Sequence, residues 1–375
     1  MTQNQIKRYH VILNSLEGRV TISEAAETLG ISKRQVIRLR NGVKKEGVTS
    51  LIHKNLNKAP SNAIDRESRA QLSYLYSNAL YKGTNFQHFT ELLEKHEGIK
   101  HSYRTVHRVL TEAGHSSPKS RRKNKTHPRR ERMAHEGQMI QMDASTFDWL
   151  GDGREYTIHG GIDDATGKLV GLYMLDYECL GGYFALMQQV IVKNGIPYMV
   201  YTDRKANDAQ FARAMNELGI RITSATSPQA KGRIERVWGT LQSRLPAEFR
   251  LANIAEVEGA NAFLAQYMYE FNKRFAISID TAKPMYVPLA SHVNLSLILC
   301  EKVARKVDNG GVLSYDGKLW QLSDSSIFDV TVEIVKTSAY GILALYQGNL
   351  YATVQFNDLQ IIHHGEPEGG AYNTS

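Results

Sequence analysis

SPQAKGRIERVWGTLQSRL, residues 227–245, is the stretch on which the fold and the chemistry turn. Ser227 is a good helix N-cap and Pro228 suits the first helical position, so the segment reads as a helix. Ile234, Val237, Leu241 and Leu245 recur at helical spacing and make its buried stripe. Lys231 and Glu235 are i,i+4 neighbours on the adjoining face. Two readings of Glu235 stay open at this level. It is an exposed carboxylate paired with Lys231, worth a few tenths of a kcal/mol, or it belongs to a catalytic carboxylate set.

The segments before this helix suggest what such a set would contain. GQMIQMDAS (137–145) reads as a short strand ending near Asp143, and EYTIHGGIDDATG and KLVGLYMLDYE as a second and third strand. GGYFALMQQVIVKNG is an amphipathic helix, IPYMVYTDRK an apolar strand ending at Asp203, DAQFARAMNELG a helix and IRITSATS a strand. Three consecutive strands followed by alternating helices and strands make a mixed sheet with helices on its faces. Sites in open sheets collect at strand ends. Asp143 and Asp203 each end an apolar strand, and Glu235 could reach both from a helix packed beside them. Two Asp and one Glu gathered at one point are hard oxygen ligands that repel one another unless cations sit between them, and Mg2+ suits them. Two Mg2+ about 4 Å apart activate a water or hydroxyl and stabilise the leaving oxygen of a phosphodiester. Asp163 and Asp164, on the second strand before a turn, read as structural.

The rest of the chain reads as nucleic-acid machinery. Its 375 residues suffice for two to four domains, and its net charge of +8 suggests a polyanionic partner. Two cysteines, Cys179 and Cys300, argue against a disulfide scaffold or a cysteine zinc site. A polar N-terminus and the lack of an apolar run of about 18 residues point to a cytosolic protein with no membrane partner. TISEAAETLG opens with a capping box, Thr21 and Glu24, and stops at Gly30; Ser32 and Gln35 then open the basic helix KRQVIRLRNGVKKEG. Helix, glycine turn and basic helix make a helix-turn-helix over residues 1–56, with Lys33, Arg34, Gln35 and Arg38 as DNA contacts. Residues 64–116 repeat the theme, Ser102 capping a helix that carries Tyr103, Arg104, His107 and Arg108. A basic linker (117–137) follows, in which Lys119, Arg121, Arg122, Lys123, Lys125, Arg129, Arg130 and Arg132 face only Glu131. It is expected to track DNA phosphates as an extended tether. Towards the C-terminus, GGVLSYDGKLWQL, DVTVEIVK and ILALYQGNLYATVQF alternate apolar and polar residues, with hairpins at Asp316–Gly317 and Gly348–Asn349. They form a small β-barrel within residues 296–365, ahead of a flexible tail (366–375).

Asp143 in MDAS, Asp203 in YTDR and Glu235 in SPQAKGRIERVWGTLQ, in that order, resemble the D,D,E core of retroviral-integrase-like transposases. SPQAKGRIERVWGTLQSRL and GIDDATG resemble more closely the ISNCY-type transposases of bacterial insertion sequences. The resemblance covers nearly the whole chain. It implies a multidomain α+β protein: tandem helix-turn-helix units, an RNase H-like α/β catalytic core (138–285) and an SH3-like C-terminal barrel. It also implies that Asp143 bridges two Mg2+ ions, with Asp203 on one and Glu235 on the other and Mn2+ as a substitute metal. Gln229, Lys231 and Arg233 would contact DNA near the scissile phosphate. The implied activity is cleavage at terminal inverted repeats and joining of the freed 3′-OH to target DNA, by at least a dimer, at the bacterial nucleoid. A non-catalytic DNA-binding regulator and an RNase H-like nuclease of another class are the competing readings.

Overall fold

The computed structural model describes residues 3–52, 63–118, 130–203, 209–224, 232–279, 283–337 and 340–355. The chain divides into two compact units, 1–72 and 73–375. In the first, α1 (Gln3–Leu16), α2 (Ile22–Leu29) and α3 (Lys33–Glu46) pack around Ile12, Ala25, Val36, Val43 and Leu51. The local signals act as their chemistry requires. Thr21 and Glu24 cap α2 reciprocally, Gly30 ends it in the left-handed region at φ 63°, and the Ser32 side chain accepts from the Gln35 N–H to open α3.

α4 (Arg66–Ser77) spans the division between the units. After it, within the second unit, come α5 (Phe86–Leu92) and α6 (Tyr103–Glu112). The segment expected as one helix, NFQHFTELLEKHEG, changes hydrogen-bonding pattern at Leu93, where a π turn (Leu93–Glu97) runs to Gly98 at φ 67°. Phe86, Phe89 and Tyr76 stack edge-to-face beneath α5.

A five-stranded sheet with helices follows: β1 (Ile140–Phe147), β2 (Tyr156–Asp163), β3 (Leu169–Leu175), α7 (Leu180–Asn194), β4 (Met199–Thr202), α8 (Ala209–Glu217) and β5 (Arg221–Ser224). The described strands are ordered β3-β2-β1-β4-β5; β1 pairs antiparallel with β2 and parallel with β4. One face is covered by α7 and α8 over Ile140, Met142 and Val200. The other is covered by α9 (Gly232–Gln242), α10 (Leu245–Leu251) and α11 (Val257–Phe275), over Ile158, Ile162 and Leu172. Two expectations are corrected here. β1 runs on to Phe147, past Asp143, because residues 143 to 147 keep pairing with β2. The helix of residues 227–245 does not continue through Leu245. It ends at Gln242, and α10 begins anew with a proline in its first turn. Pro246 disfavours helical backbone at the residue before it and offers no N–H to extend α9. Leu245 is nevertheless buried in the same core.

A second sheet closes nearly on itself: β6 (Glu301–Lys306), β7 (Val312–Tyr315), β8 (Lys318–Leu322), β9 (Thr331–Thr337), β10 (Gly341–Tyr346) and β11 (Asn349–Gln355), in the order β6-β9-β10-β11-β8-β7. Its core is Val307, Leu313, Val332, Ile334 and Ala344. The hairpin at Asp316–Gly317 has both central residues at positive φ, 52° and 69°. The next hairpin turns one residue earlier than expected, at Gln347 (φ 51°) and Gly348 (φ 83°), because Tyr346 pairs with Asn349. β6 was not foreseen. It is fixed to α8 of the five-stranded sheet by Gln210, which donates to the Lys302 carbonyl at 2.8 Å, and by Lys302 against Glu217 at 2.9 Å.

The helices after residue 73 are docked on the sheet domain by buried charge. Glu248 of α10 is met by His88 Nε2 of α5 at 3.1 Å and by Lys95 at 3.4 Å. Glu91 of α5 is met by Arg244 and by Arg274, each at 2.5 Å. His88 is fully buried, and burial holds its imidazole below the ordinary value of 6.5, so the neutral ring donates from Nε2 to Glu248. Burial opposes ionisation of Glu248, but His88 and Lys95 outweigh it and hold the carboxyl below its usual range. Both groups therefore stabilise the folded state above pH 6.5 and lose that contribution as acid protonates the unfolded His first and then the carboxylates. Glu248→Ala removes one side of a buried pair and is expected to cost about 3–5 kcal/mol in urea unfolding near pH 7.5. The difference from wild type should shrink only below about pH 4.5, where the carboxylate takes up its proton; a pH-independent difference contradicts the ionic origin of the docking.

Candidate active site

The site is built by a match of two periodicities. Gln141, Asp143 and Ser145 alternate to one face of β1, and Ile234, Trp238 and Gln242 recur every four residues along α9. Two strand residues advance about 6.7 Å and four helix residues about 6 Å, so the two rows stay level. Three hydrogen bonds lace them together. The Ile234 N–H donates to Gln141 Oε1 at 3.3 Å, Trp238 Nε1 to Asp143 Oδ2 at 3.0 Å, and Gln242 Nε2 to Ser145 Oγ at 3.1 Å. The indole has room because its neighbour on β2, paired with Asp143, is Gly160. A Cβ on Gly160 would stand 2.5 Å from Trp238 Cη2.

Asp203 follows β4. Gln141 pairs with Tyr201, so Asp143 and Asp203 lie two residues beyond a matched pair on adjacent parallel strands. Both are half-buried. Tyr183 of α7 senses both: burial first, and then Glu178, Asp203 and Asp143, push its hydroxyl up. Glu235 is exposed and stands three residues before Trp238 on α9. Val237 and Leu241 on one flank of α9 pack against β2 and β3. At about 100° per residue Glu235 falls on the opposite flank. That is the side of β4, because β1 lies between β2 and β4. Among the described residues, no group of three or more His, Cys, Asp and Glu side chains is gathered closely enough to hold a metal ion.

Comparison with known proteins decides the family. The chain is 31% identical to the transposase for insertion sequence IS1202 of Streptococcus pneumoniae, over 94% of this chain and 84% of that protein. It belongs to the insertion-sequence transposases. A Sinorhizobium fredii protein named as transposase y4bF matches at 31% identity, over 91% of this chain and 78% of that one. Residues 8–70 match the winged helix-turn helix family. Among solved structures, the HTLV-2 integrase catalytic core in complex with magnesium aligns at TM-score 0.33 and 16% identity, over 40% of this chain and 94% of that one, a likeness too slight to weigh.

Other residues foreseen as DNA contacts fall into three groups in the transposase. Lys33, Arg34 and Arg38 are exposed on α3 with Gln35 half-buried, and Tyr103, Arg104, His107 and Arg108 are exposed on α6. Arg121, Arg122, Lys123, Lys125, Arg129, Gln229 and Lys231 lie outside the described residues, as do the expected cap Ser227 and Pro228. Arg130 and Arg233 are already engaged within the protein. Both guanidiniums pair with the fully buried Asp164, Arg233 at 2.8 Å with its side chain 12% exposed, and Arg130 with its side chain 37% exposed. The end of the basic linker is therefore docked. Arg132 donates to the carbonyls of Asp164 and Ala165, and the Met133 N–H to Asp164. A buried carboxylate needs its charge paired and its oxygens hydrogen-bonded, and the two guanidiniums, the Met133 N–H and the Gln141 amide at 2.7 Å supply both. Asp163 is equally committed. It accepts from the Gly137 N–H, the Thr166 N–H and the Thr166 hydroxyl, while burial raises its carboxyl above the usual range.

Trp238 and Gly160 carry function that the sequence reading missed. The signal was available: a Trp one turn after Glu235, in the row of the apolar Ile234, would be buried and would need a partner for its indole N–H. Gly160→Ala is expected to cost about 1–3 kcal/mol in urea unfolding, because the new methyl overpacks against the indole. In the double variant Gly160→Ala/Trp238→Phe most of that cost should vanish. Additive losses would show that the two residues do not share the space assigned to them.

Proposed function

We propose that this transposase cleaves phosphodiester bonds at the ends of its insertion sequence and joins the freed 3′-OH to target DNA, using Asp143, Asp203 and Glu235. The observation that carries the reading is the level placement of Asp143 and Asp203, each two residues past the Gln141–Tyr201 pair of the parallel β1–β4 ladder, with α9 laced alongside through Trp238. The chemistry of this donor set suits two Mg2+ ions or Mn2+, since carboxylates offer hard oxygens and little else, although the three are not gathered at one point in this structure. When bound, the ions would supply a polarised nucleophile and charge stabilisation for the leaving oxygen. Asp143, Asp203 and Glu235 would be the residues that hold them.

The protein's own residues do the positioning. Trp238 donates to one oxygen of Asp143 and so fixes the orientation of the carboxylate. Gln141 and Gln242 hold α9 in register, so that Glu235 keeps its distance from the strand. Joining needs two element ends at one place, so at least two copies assemble on DNA. The exposed residues of α3 and α6 act as readers of the terminal inverted repeats, and Lys231, Gln229 and the linker cations as phosphate contacts.

The test uses purified protein, Mg2+ and labelled DNA carrying the element's own ends, read for 3′-end nicking and strand joining. Asp143→Asn, Asp203→Asn and Glu235→Gln should each abolish both steps, by at least about a thousandfold, while end binding is kept or tightened because repulsion between carboxylate and phosphate falls. Near wild-type cleavage by any one of them removes that residue from the set.

A further inference from the structure

On the flank of α9 opposite Glu235 lies a cavity of about 310 Å³, lined by Arg132, Arg233, Arg236, Phe271 and Phe275. Its volume sits at the lower end of the range for small-ligand pockets, roughly 300–1,000 Å³, so it suits one nucleotide and not a duplex. Its charge is unbalanced. The guanidiniums of Arg130, Arg132 and Arg236 all bear on Arg233. Among the described residues Asp164 is the one carboxylate ion-paired within this set, and Arg236 has no ion pair at all. Four cations around one buried anion leave a surplus that a guanidinium cannot relieve by losing its proton. Burial and the neighbouring arginines accordingly both disfavour the charge on Arg233, while Asp164 favours it. The remaining wall is apolar and aromatic. Phe271 is buried, Phe275 is 40% exposed, and their rings lie 4.6 Å apart.

Unrelieved positive charge beside an accessible aromatic ring is the pairing that holds single-stranded nucleic acid: an anion for the guanidinium and a flat base for the ring. We propose that this cavity takes one unpaired nucleotide of the bound DNA, its phosphate on Arg236 and Arg132 and its base against Phe275. The cavity thus grips a strand beside the carboxylates, on the far side of the helix that carries Glu235. Arg233 and Arg130 build the cavity by holding Asp164, whereas Arg236 and Phe275 meet the ligand. The inference rests on the proposed function only for the choice of DNA as ligand.

Binding is measured in EDTA with the full chain, which separates it from cleavage. The probes are a fluorescein-labelled duplex with a short unpaired end and the same duplex made blunt. Arg236→Ala should weaken binding to the first by about tenfold and lower the slope of log affinity against log salt by about one. Phe275→Leu should weaken it at least about fivefold with the salt slope unchanged, and less for the blunt duplex. Arg236→Lys should restore the slope and Phe275→Tyr the affinity, which distinguishes contact from misfolding. Because both residues hold one nucleotide, the double variant Arg236→Ala/Phe275→Leu should lose less than the product of the single losses. Losses that multiply, an unchanged slope in Arg236→Ala, or an equal effect of Phe275→Leu on both duplexes would overturn the proposal. If these arise in a protein that still nicks and joins DNA, the cavity assignment fails while the proposed function stands.

Discussion

The contact on which the site depends is the hydrogen bond from Trp238 to Asp143. It is one of three rungs between β1 and α9, and the rungs exist because a strand stepping by two and a helix stepping by four advance at nearly the same rate. A one-residue slip of β1 would turn Gln141, Asp143 and Ser145 to the opposite face and bring Ile140, Met142 and Ala144 against α9. The two apolar cores, one on each face of the sheet, forbid that slip. Hydrophobic burial thus supplies the energy that holds the register, and the polar rungs convert the register into the position of a carboxylate.

The glycines near the site follow from the same constraint. Gly160 yields its Cβ space to the Trp238 indole, and Gly182 at the start of α7 yields it to His159, whose ring lies within 2.2 Å of where that Cβ would be. Large rings fill what the glycines vacate, so the sheet carries aromatic groups on both sides of β2 without spreading its strands. This is a packing solution, and it leaves Asp143 with little freedom, which the proposed role of this carboxylate requires.

Much of this was legible in the sequence, and the reasons differ by element. Three strands followed by alternating helices and strands predict the mixed sheet, because periods of 2 and 3.6 are dictated by which faces are buried. Asp143 and Asp203 stood out because each interrupts an apolar run at its end. The missed features are those that need three dimensions. The break before α10 depends on Pro246, which the apolar stripe from Ile234 to Leu245 hides, since Leu245 is buried on either reading. Arg130 and Arg233 read as DNA contacts because basic residues in a polar stretch give no hint of a buried partner. Asp164, 34 residues from one and 69 from the other, is that partner. His88 likewise shows nothing in sequence of its bond to Glu248, 160 residues away.

These long-range pairs change what the basic character of the chain means. The net charge of +8 describes a protein that attracts polyanions, yet it does not say which cations are available to them. Arg130, Arg233, Arg244 and Arg274 are engaged by buried or half-buried carboxylates and serve to join segments of the fold. A guanidinium in such a pair contributes to docking and is screened less by salt than one at the surface. Affinity for DNA should therefore be set by the smaller number of exposed cations on α3, on α6 and beside the cavity of α9. The described end of the linker belongs with the first kind. Arg130, Arg132 and the Met133 N–H are fixed to Asp164 and the Ala165 carbonyl just after β2, the strand that pairs with the Asp143 strand.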